Sequence, residues 1–357
     1  MARAFLSVII SLFVAVFACA QQRQFRVHTI AFYNVENLFD TINGPGIGDD
    51  DYLPWGREAW TGSKYKQKLA NIAQALSDIG SNESRESPAI IGLCEIENRR
   101  VLEDLVKQQG LLAADYGIVH FDSPDSRGTD VALLYRKKHF RPTSHSNIPL
   151  IIKDTLAVKK PHRGKKKATA KLFTRDQLLV TGLLDGEEIH FIVNHWPSRY
   201  GGEKRSSPNR EAAAALNRKT IDSLFEKNPQ AKVITMGDFN DGPYNNSIQK
   251  VLRAKGIKED AQAGGLFNPM EGMFEKGNGS VAYRDAWDLF DQIIVSGPLL
   301  SKDYATFRYW KAGIFNPDYL TNQTGRYKTY PLRNANGEVG YSDHFPVYLY
   351  LIREEKE

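Results

Sequence analysis

Cysteine is nearly absent from this chain. Only Cys19 and Cys94 occur in 357 residues, and Cys19 lies in a stretch that export would remove. One remaining cysteine cannot close an internal disulfide, so an exported form must rely on its packed core. The 337 residues left beyond residue 20 (357 minus 20) are enough to build one. No C-x-x-C and no H-x-x-x-H spacing occurs, which removes the commonest zinc patterns. Past residue 20 no apolar run is long enough to span a bilayer. Neither sign of charge dominates. There are 47 Lys and Arg against 42 Asp and Glu, a balance that permits an anionic partner without demanding one. Internal repeats and Pro/Ser-rich linkers are also missing. With 41% hydrophobic and 25% charged residues the composition is that of a globular chain, and one domain over residues 21–357 is expected.

The first twenty residues are a separate object. Arg3 supplies a positive start, Leu6 to Phe17 an apolar run, and Ala18-Cys19-Ala20 a small-residue cleavage site. This pattern is that of a signal peptide cleaved after Ala20, which predicts a secreted or periplasmic protein. The rival reading makes Cys19 a lipid-modified anchor, and the bulky Phe17 fits that poorly.

Beyond it, strand-like and helix-like blocks alternate. Val27–Phe32, Ala89–Cys94, Val131–Tyr135, Leu178–Leu183, Glu188–Asn194, Lys232–Met236, Gln292–Ser296 and Val347–Ile352 read as strands. Leu69, Ile72, Ala73, Leu76 and Ile79 recur at helical spacing and predict a helix over 64–79. A short helix is expected over 101–109. A longer one is expected from about Pro208 to Glu226, with Pro208 in its first turn. Hairpin-like turns such as Asp185-Gly186 add antiparallel character, so the fold class is layered α/β. Residues 41–62, 264–285 and 313–340 read as long loops.

The informative pattern is a set of polar residues just past apolar strands. These are Asn34, Glu95 after Gly92-Leu93-Cys94, the Asn194-His195-Trp196 segment, Gly237-Asp238-Phe239-Asn240, Asp291, and Ser342-Asp343-His344. Any one of them reads as a turn former or a structural histidine. Together they supply carboxylates, amides and two imidazoles, which suits a hard cation such as Mg²⁺, Mn²⁺ or Ca²⁺. Cys94 reads as a small buried residue, and Glu36 and Glu97, which flank the site, as solvated charges with a secondary metal ligand as the alternative. Ser198, Arg199 and Arg210 are candidates to contact phosphate, since Arg suits a bidentate grip on it.

Ile91-Gly92-Leu93-Cys94-Glu95, Gly237-Asp238-Phe239-Asn240 and Ser342-Asp343-His344 together resemble the signature blocks of the endonuclease/exonuclease/phosphatase superfamily. The resemblance spans nearly the whole mature chain, with the deoxyribonuclease I branch favoured by His195. It implies a four-layer α/β/β/α sandwich of two packed mixed sheets flanked by helices. It makes Glu95 the main metal ligand, with Asn34 beside it and Asp343 near. Asp238 and Asn240 would sit at the phosphate, Asp238 orienting or deprotonating the attacking water. His344 would be the C-terminal catalytic histidine with Asp291 as its carboxylate partner. Phosphoester hydrolysis needs charge neutralisation and a proton for the leaving oxygen, and these residue types supply both. Which histidine is acid and which is base stays open.

The expected activity is a secreted metal-dependent phosphodiesterase, an endonuclease on DNA or RNA that acts as a monomer. A phospholipid or inositol-phosphate hydrolase is the alternative, and a binding module without chemistry is the non-enzymatic one. Residues 159–171, with seven Lys or Arg, can track a phosphate backbone or form a solvated hairpin tip. Trp55, Trp60, Tyr65, Tyr200, Phe267, Tyr283 and Trp287 are loop aromatics available for stacking on bases.

Overall fold

A computed structural model describes residues 23–154, 170–261 and 264–355. The expected signal peptide and the basic run over 159–169 lie outside the described residues.

The strands run in chain order as β1 (Phe25–Leu38), β2 (Ile90–Ile96), β3 (Tyr116–His120), β4 (Asp130–Arg136), β5 (Phe140–Ile148), β6 (Ile151–Asp154), β7 (Ala170–Phe173), β8 (Gln177–Leu184) and β9 (Glu187–His195). They continue as β10 (Val233–Asp238), β11 (Ala254–Lys255), β12 (Leu266–Phe267), β13 (Val281–Tyr283), β14 (Ala286–Asp288), β15 (Asp291–Ser296), β16 (Arg308–Ile314) and β17 (Val347–Glu354). The α-helices are α1 (Gly62–Asp78), α2 (Ser81–Ser84), α3 (Arg99–Val106), α4 (Gln109–Leu112), α5 (Glu203–Lys227) and α6 (Pro269–Phe274).

Two large mixed sheets result. The first has the order β16-β17-β1-β2-β4-β3 and the second β11-β12-β15-β10-β9-β8-β5. In the first, β1 and β2 are parallel; in the second, β9 and β10 are. Alternate residues of the central strands face opposite layers. Ile30, Phe32, Ile90 and Cys94 point between the sheets, where they meet Phe191, Val193, Ile234 and Met236. Ala31, Tyr33, Ile91 and Leu93 point outward under α1, α3 and α4. On the far side Ile192, Val233 and Ile294 pack under Ala213, Ala214 and Ile221 of α5. Burial on both faces explains why these strands read as unbroken apolar runs. The four-layer sandwich implied by the resemblance is the observed architecture.

The longest strands to escape the sequence reading are β3, β5 and β16. Each is the last strand at one edge of its sheet. An edge strand is half solvated, and β5 carries mostly exposed polar side chains with Pro142 at a register shift. Helix α5 begins at Glu203, so Pro208 sits inside the helix and not in its first turn. The predicted loops hold some structure of their own, including α6 and β13 within 264–285. The Asp185-Gly186 turn is as expected. Both residues have positive φ, 43° and 86°, and join β8 to β9 as a tight hairpin.

Register sets the site. Asp238 pairs with His195 across β10 and β9 and with Asp291 across β10 and β15, so three polar residues meet at one rim. Asn34 and Cys94 pair across β1 and β2 at the matching rim of the other sheet, placing Glu95 one step on.

Candidate functional site

Two strand pairs of the first sheet change course where they reach this rim. The β1/β2 register shifts after Asn34, and the β2/β4 register shifts between Cys94 and Ile96. Glu95 lies at that irregularity with φ 63°, and Glu36, Asn37 and Asn240 also have φ near +50°. Left-handed backbone in non-glycine residues costs about 1–3 kcal/mol each and persists only where surrounding contacts enforce it. Here it turns ligand-type side chains toward the gap between the sheets. Gly237 is required for a different reason. A Cβ there would lie 2.4 Å from the Asn194 carbonyl oxygen, so only glycine lets β9 and β10 meet at this point.

Asp238 is the hub. Its Oδ1 accepts from the Asn240 amide at 2.9 Å, and its Oδ2 accepts from Asn34 Nδ2 at 3.1 Å. His195 Nε2 stands 3.6 Å from that same Oδ2 and 3.9 Å from Glu95 Oε1. Glu95 Oε2 accepts from the Asn37 amide at 2.9 Å. Burial, with Asp291 and Glu95 adding to it, pushes the Asp238 carboxyl up to about 7 against the pull of His344.

The two histidines differ in kind. Burial, and then the positive charges of Arg175 and Arg127, hold His195 well below its ordinary value, so it is neutral. His195 Nδ1 is buried and has no partner among the described residues, which suits a bare nitrogen and a proton on Nε2. Burial alone would lower His344 too. Its Nδ1, however, donates to Asp291 Oδ2 at 2.6 Å, and that fully buried carboxylate holds it well above its ordinary value. Ser280 Oγ donates to the same Asp291 oxygen at 2.6 Å and fixes its orientation.

The expected metal-ligand set is rich in oxygen. Asn34 Oδ1 takes one bond, from the Glu36 amide at 3.0 Å, which leaves a lone pair. Asp343 lies one residue from His344, with its carboxylate 3.8 Å from Arg333 and 4.0 Å from His344 Nε2. Glu36 lies 3.8 Å from the buried Lys68 ammonium, whose charge is also favoured by Asp343 and Glu95 against the cost of burial. This donor set fits a hard divalent cation. Among the described residues two tighter histidine–carboxylate groups lie elsewhere: His28, His139 and Asp185, and His120, Asp122 and Asp130.

Several expectations need correction. Glu36 and Glu97 are buried, not solvated. Glu36 sits 3.8 Å from the buried Lys68 and 3.0 Å from Arg333, and burial raises it to about 7. Glu97 accepts from the Asp40 amide at 2.6 Å and is raised to about 8, again by burial first. Asn194 faces away from the rim. Its amide is used by Thr235, Met236, Trp196 and Asn217, so it braces β9, β10 and α5. Arg210 is fully buried and ion-paired to Asp241 at 2.6 Å, out of reach of a substrate. Arg199 donates to the Asn240 carbonyl at 2.9 Å and pairs with Asp288 at 3.2 Å, so it holds the Asn240 turn in place. Ser198 is exposed beside it. Of the loop aromatics, Trp60 and Phe267 are buried, Tyr65 is bound to Asp104 and Trp287 stacks on Phe345. Trp55, Tyr200 and Tyr283 remain exposed. Cys94 is buried between the sheets, and burial raises its thiol well above the ordinary range, as its small-residue reading expects.

Lys68, Arg127, Arg175, Ser280 and Arg333 were missed. Lys68 had a signal: it shares a helix face with Ile72, Ala75 and Ile79, where a lysine has no place unless something pairs with it. Arg175 lies in a short connection, with Nη1 on Asp125 at 3.1 Å and Nη2 on the Trp196 carbonyl at 2.9 Å, and nothing local marks it.

A four-layer sandwich carrying this rim defines a class, the deoxyribonuclease I-like fold of phosphoester hydrolases. Residues 29–353 match the family model described as Endonuclease/Exonuclease/phosphatase family, and the chain belongs to that family. Its members are divalent-metal-dependent phosphoester hydrolases. No curated protein sequence matches the chain. Among solved structures, an endonuclease/exonuclease/phosphatase family protein from Bacteroides thetaiotaomicron is 19% identical, covers 94% of this chain and 98% of its own, and has a TM-score of 0.54. A mannosyl-6-phosphatase from Bacteroides thetaiotaomicron is 20% identical over 91% of this chain and 99% of its own, with a TM-score of 0.52. A humanized TDP2 from D. rerio is 14% identical over 91% and 99%, with a TM-score of 0.51. At these identities the likeness establishes the fold. No helix among the described residues is long and apolar enough to cross a membrane.

Proposed function

We propose that the chain is a secreted, single-domain, divalent-metal-dependent phosphodiesterase that hydrolyses nucleic acid. The observation that carries the chemistry is the pairing of a neutral His195 with a charged His344–Asp291 couple across the raised carboxyl of Asp238. Glu95, Asn34 and Asp343 would hold the cation, which neutralises charge on the non-bridging oxygens when bound.

Asp238 is the base. Its carboxylate is aimed by the Asn240 amide and by Asn34 Nδ2, and a value of about 7 matches proton uptake from water near neutrality. His195 presents Nε2–H toward the non-bridging oxygens, and the charged His344 supplies a proton to the leaving oxygen. Asn240 Nδ2 donates to the Trp196 carbonyl at 3.0 Å, which leaves its Oδ1 to receive a bond.

Nucleic acid is supported by two further observations. A D. rerio TDP2 that shares the fold, 15% identical with a TM-score of 0.50, is complexed with a single strand DNA product. Exposed Trp55 and Tyr200 lie on loops and exposed Tyr283 ends β13, and all three suit base stacking. The mannosyl-6-phosphatase sharing the fold favours a second reading, a phosphomonoesterase for sugar or inositol phosphates.

The test is a substrate panel on protein lacking residues 1–20. It comprises plasmid DNA, single strands, RNA, sphingomyelin, inositol phosphates and mannose 6-phosphate, each with Mg²⁺ and with EDTA. Cleavage of DNA or RNA in Mg²⁺ that stops in EDTA is expected. Full activity in EDTA overturns the metal, and turnover of a monoester alone overturns the nuclease.

A further inference from the structure

A cavity of about 400 Å³ opens beside the reactive rim, walled in part by Glu36, Tyr52, Arg57, Trp60, Arg127 and Arg333. Three loops build it, and they are tied together. The Gly48 amide donates to the Ser126 carbonyl at 2.9 Å, and the Asn334 amide donates to Glu36 Oε2 at 3.1 Å. Gly128, with φ 69°, lets the Ser126–Arg127 turn close against Ile47, where a Cβ would meet the Ile47 side chain at 2.6 Å. The floor is aromatic: Tyr52 stacks on Phe39 at 4.5 Å and meets the edge of Trp60.

The cavity adjoins the reactive rim at two points: Arg333 Nη1 is 3.8 Å from Asp343, and the amide of Asn37, in the cavity wall, donates to Glu95 Oε2 at 2.9 Å.

Charge within it is unevenly answered. Arg57 pairs with Asp51 at 3.1 Å and Glu58 at 3.0 Å, and Arg333 with Glu36 at 3.0 Å. Arg127 is answered more weakly, its Nη2 reaching Thr129 Oγ1 at 3.5 Å. Its nearest carboxylate is Asp125 at 3.9 Å, which already takes Arg175 at 3.1 Å and the Arg127 amide at 3.0 Å. The Arg127 side chain is 51% exposed, so a planar fork of donors stands at the cavity wall. A guanidinium so placed matches a phosphate bidentately.

We propose that this cavity is a subsite for a second phosphate of the substrate, adjacent to the scissile one, gripped by Arg127 with Arg333 beside it. The inference rests on the phosphoesterase reading and deepens it: the preferred substrate carries two neighbouring phosphates. Those phosphates belong to successive nucleotides or to a polyphosphorylated polyol.

Calorimetry on protein lacking residues 1–20, in Ca²⁺, compares thymidine 3′,5′-bisphosphate with thymidine 5′-monophosphate. A parallel arm compares inositol 1,4-bisphosphate with inositol 1-phosphate. The bisphosphate of the correct series is expected to bind at least tenfold tighter than its monophosphate. Arg127→Ala and Arg127→Gln are expected to cut that preference below threefold, with Arg127→Lys retaining part of it. Equal binding of mono- and bisphosphate by the unaltered protein overturns the subsite. So does a preference that survives Arg127→Ala, or an equal loss for both ligands. Hydrolysis of an unphosphorylated dinucleotide in Mg²⁺ is scored separately. Bisphosphate preference without any diester hydrolysis sinks the nuclease reading and keeps the subsite, and the converse result sinks only the subsite.

Discussion

Replacing Asp291 by Asn removes the carboxylate that keeps His344 charged and leaves the packing nearly unchanged. In the native structure the pair is 2.6 Å apart, Asp291 is fully buried, and Ser280 holds the same oxygen. Breaking a buried charge pair costs about 3–5 kcal/mol. The sign with pH follows from the direction of the shift. His344 titrates above its ordinary 6.5 when folded, so its stabilising contribution is fully present below about 6.5 and is lost as pH rises through the folded value. Urea titrations in EDTA are therefore expected to show the full loss near pH 6 and a smaller loss in alkali. With the carboxylate gone, burial dominates and His344 falls below 6.5. If His344 is the proton donor, the alkaline limb of the pH–rate profile moves down by at least one unit and turnover falls by about 10²- to 10⁴-fold. The assays are hydrolysis of bis(p-nitrophenyl) phosphate in Mg²⁺ across pH, and the NMR titration of the His344 ring proton. A His344 that titrates near 6.5 in the unaltered protein, or an alkaline limb that does not move, refutes the reasoning.

Two further substitutions separate support from chemistry. Arg210→Met leaves Asp241 buried without its 2.6 Å partner, so it is expected to cost about 3–5 kcal/mol in urea unfolding while KM stays within about twofold; a large KM change with normal stability would return Arg210 to the substrate. Lys68→Met removes the ammonium 3.8 Å from Glu36. Glu36 is raised from 4.5 to about 7, so the folded state keeps a proton the unfolded chain has released, and stability falls as pH rises between those values. Without Lys68 that fall extends to higher pH, with a loss of about 3 kcal/mol near pH 8, and equal stability of both proteins at that pH would show that the pair does not matter.

The strands that were legible and those that were not differ in burial. Ile90–Ile96 and Val233–Asp238 are covered on both faces, so hydrophobicity alone marked them. Tyr116–His120, Phe140–Ile148 and Arg308–Ile314 are edge strands whose identity comes from one neighbour, and their own residues announce little. Helix α1 was legible for the reason that made Lys68 easy to overlook: the apolar stripe is strong enough to define the helix with one charged residue inside it.

The site divides along the same line. Asn34, Glu95, His195, Asp238, Asn240, Asp291, Asp343 and His344 each lie near the end or the start of an apolar run, so their chain position predicted a shared rim. Direction was not legible. Asn194 and His195 are neighbours, yet successive residues of a strand face opposite layers, so His195 reaches the rim while Asn194 is locked to Asn217 of α5. Charge was not legible either. Two histidines of one residue type hold opposite protonation states, because burial keeps His195 neutral, with the charges of Arg175 and Arg127 adding to it, while His344, equally buried, has the Asp291 carboxylate against it. The sequence by itself determined the layers and the kinds of donor at their edge, since both follow from apolar runs and the residues that end them. Only the tertiary structure decided which donors meet and which are neutral, because each depends on groups far apart in the chain brought within a few ångströms.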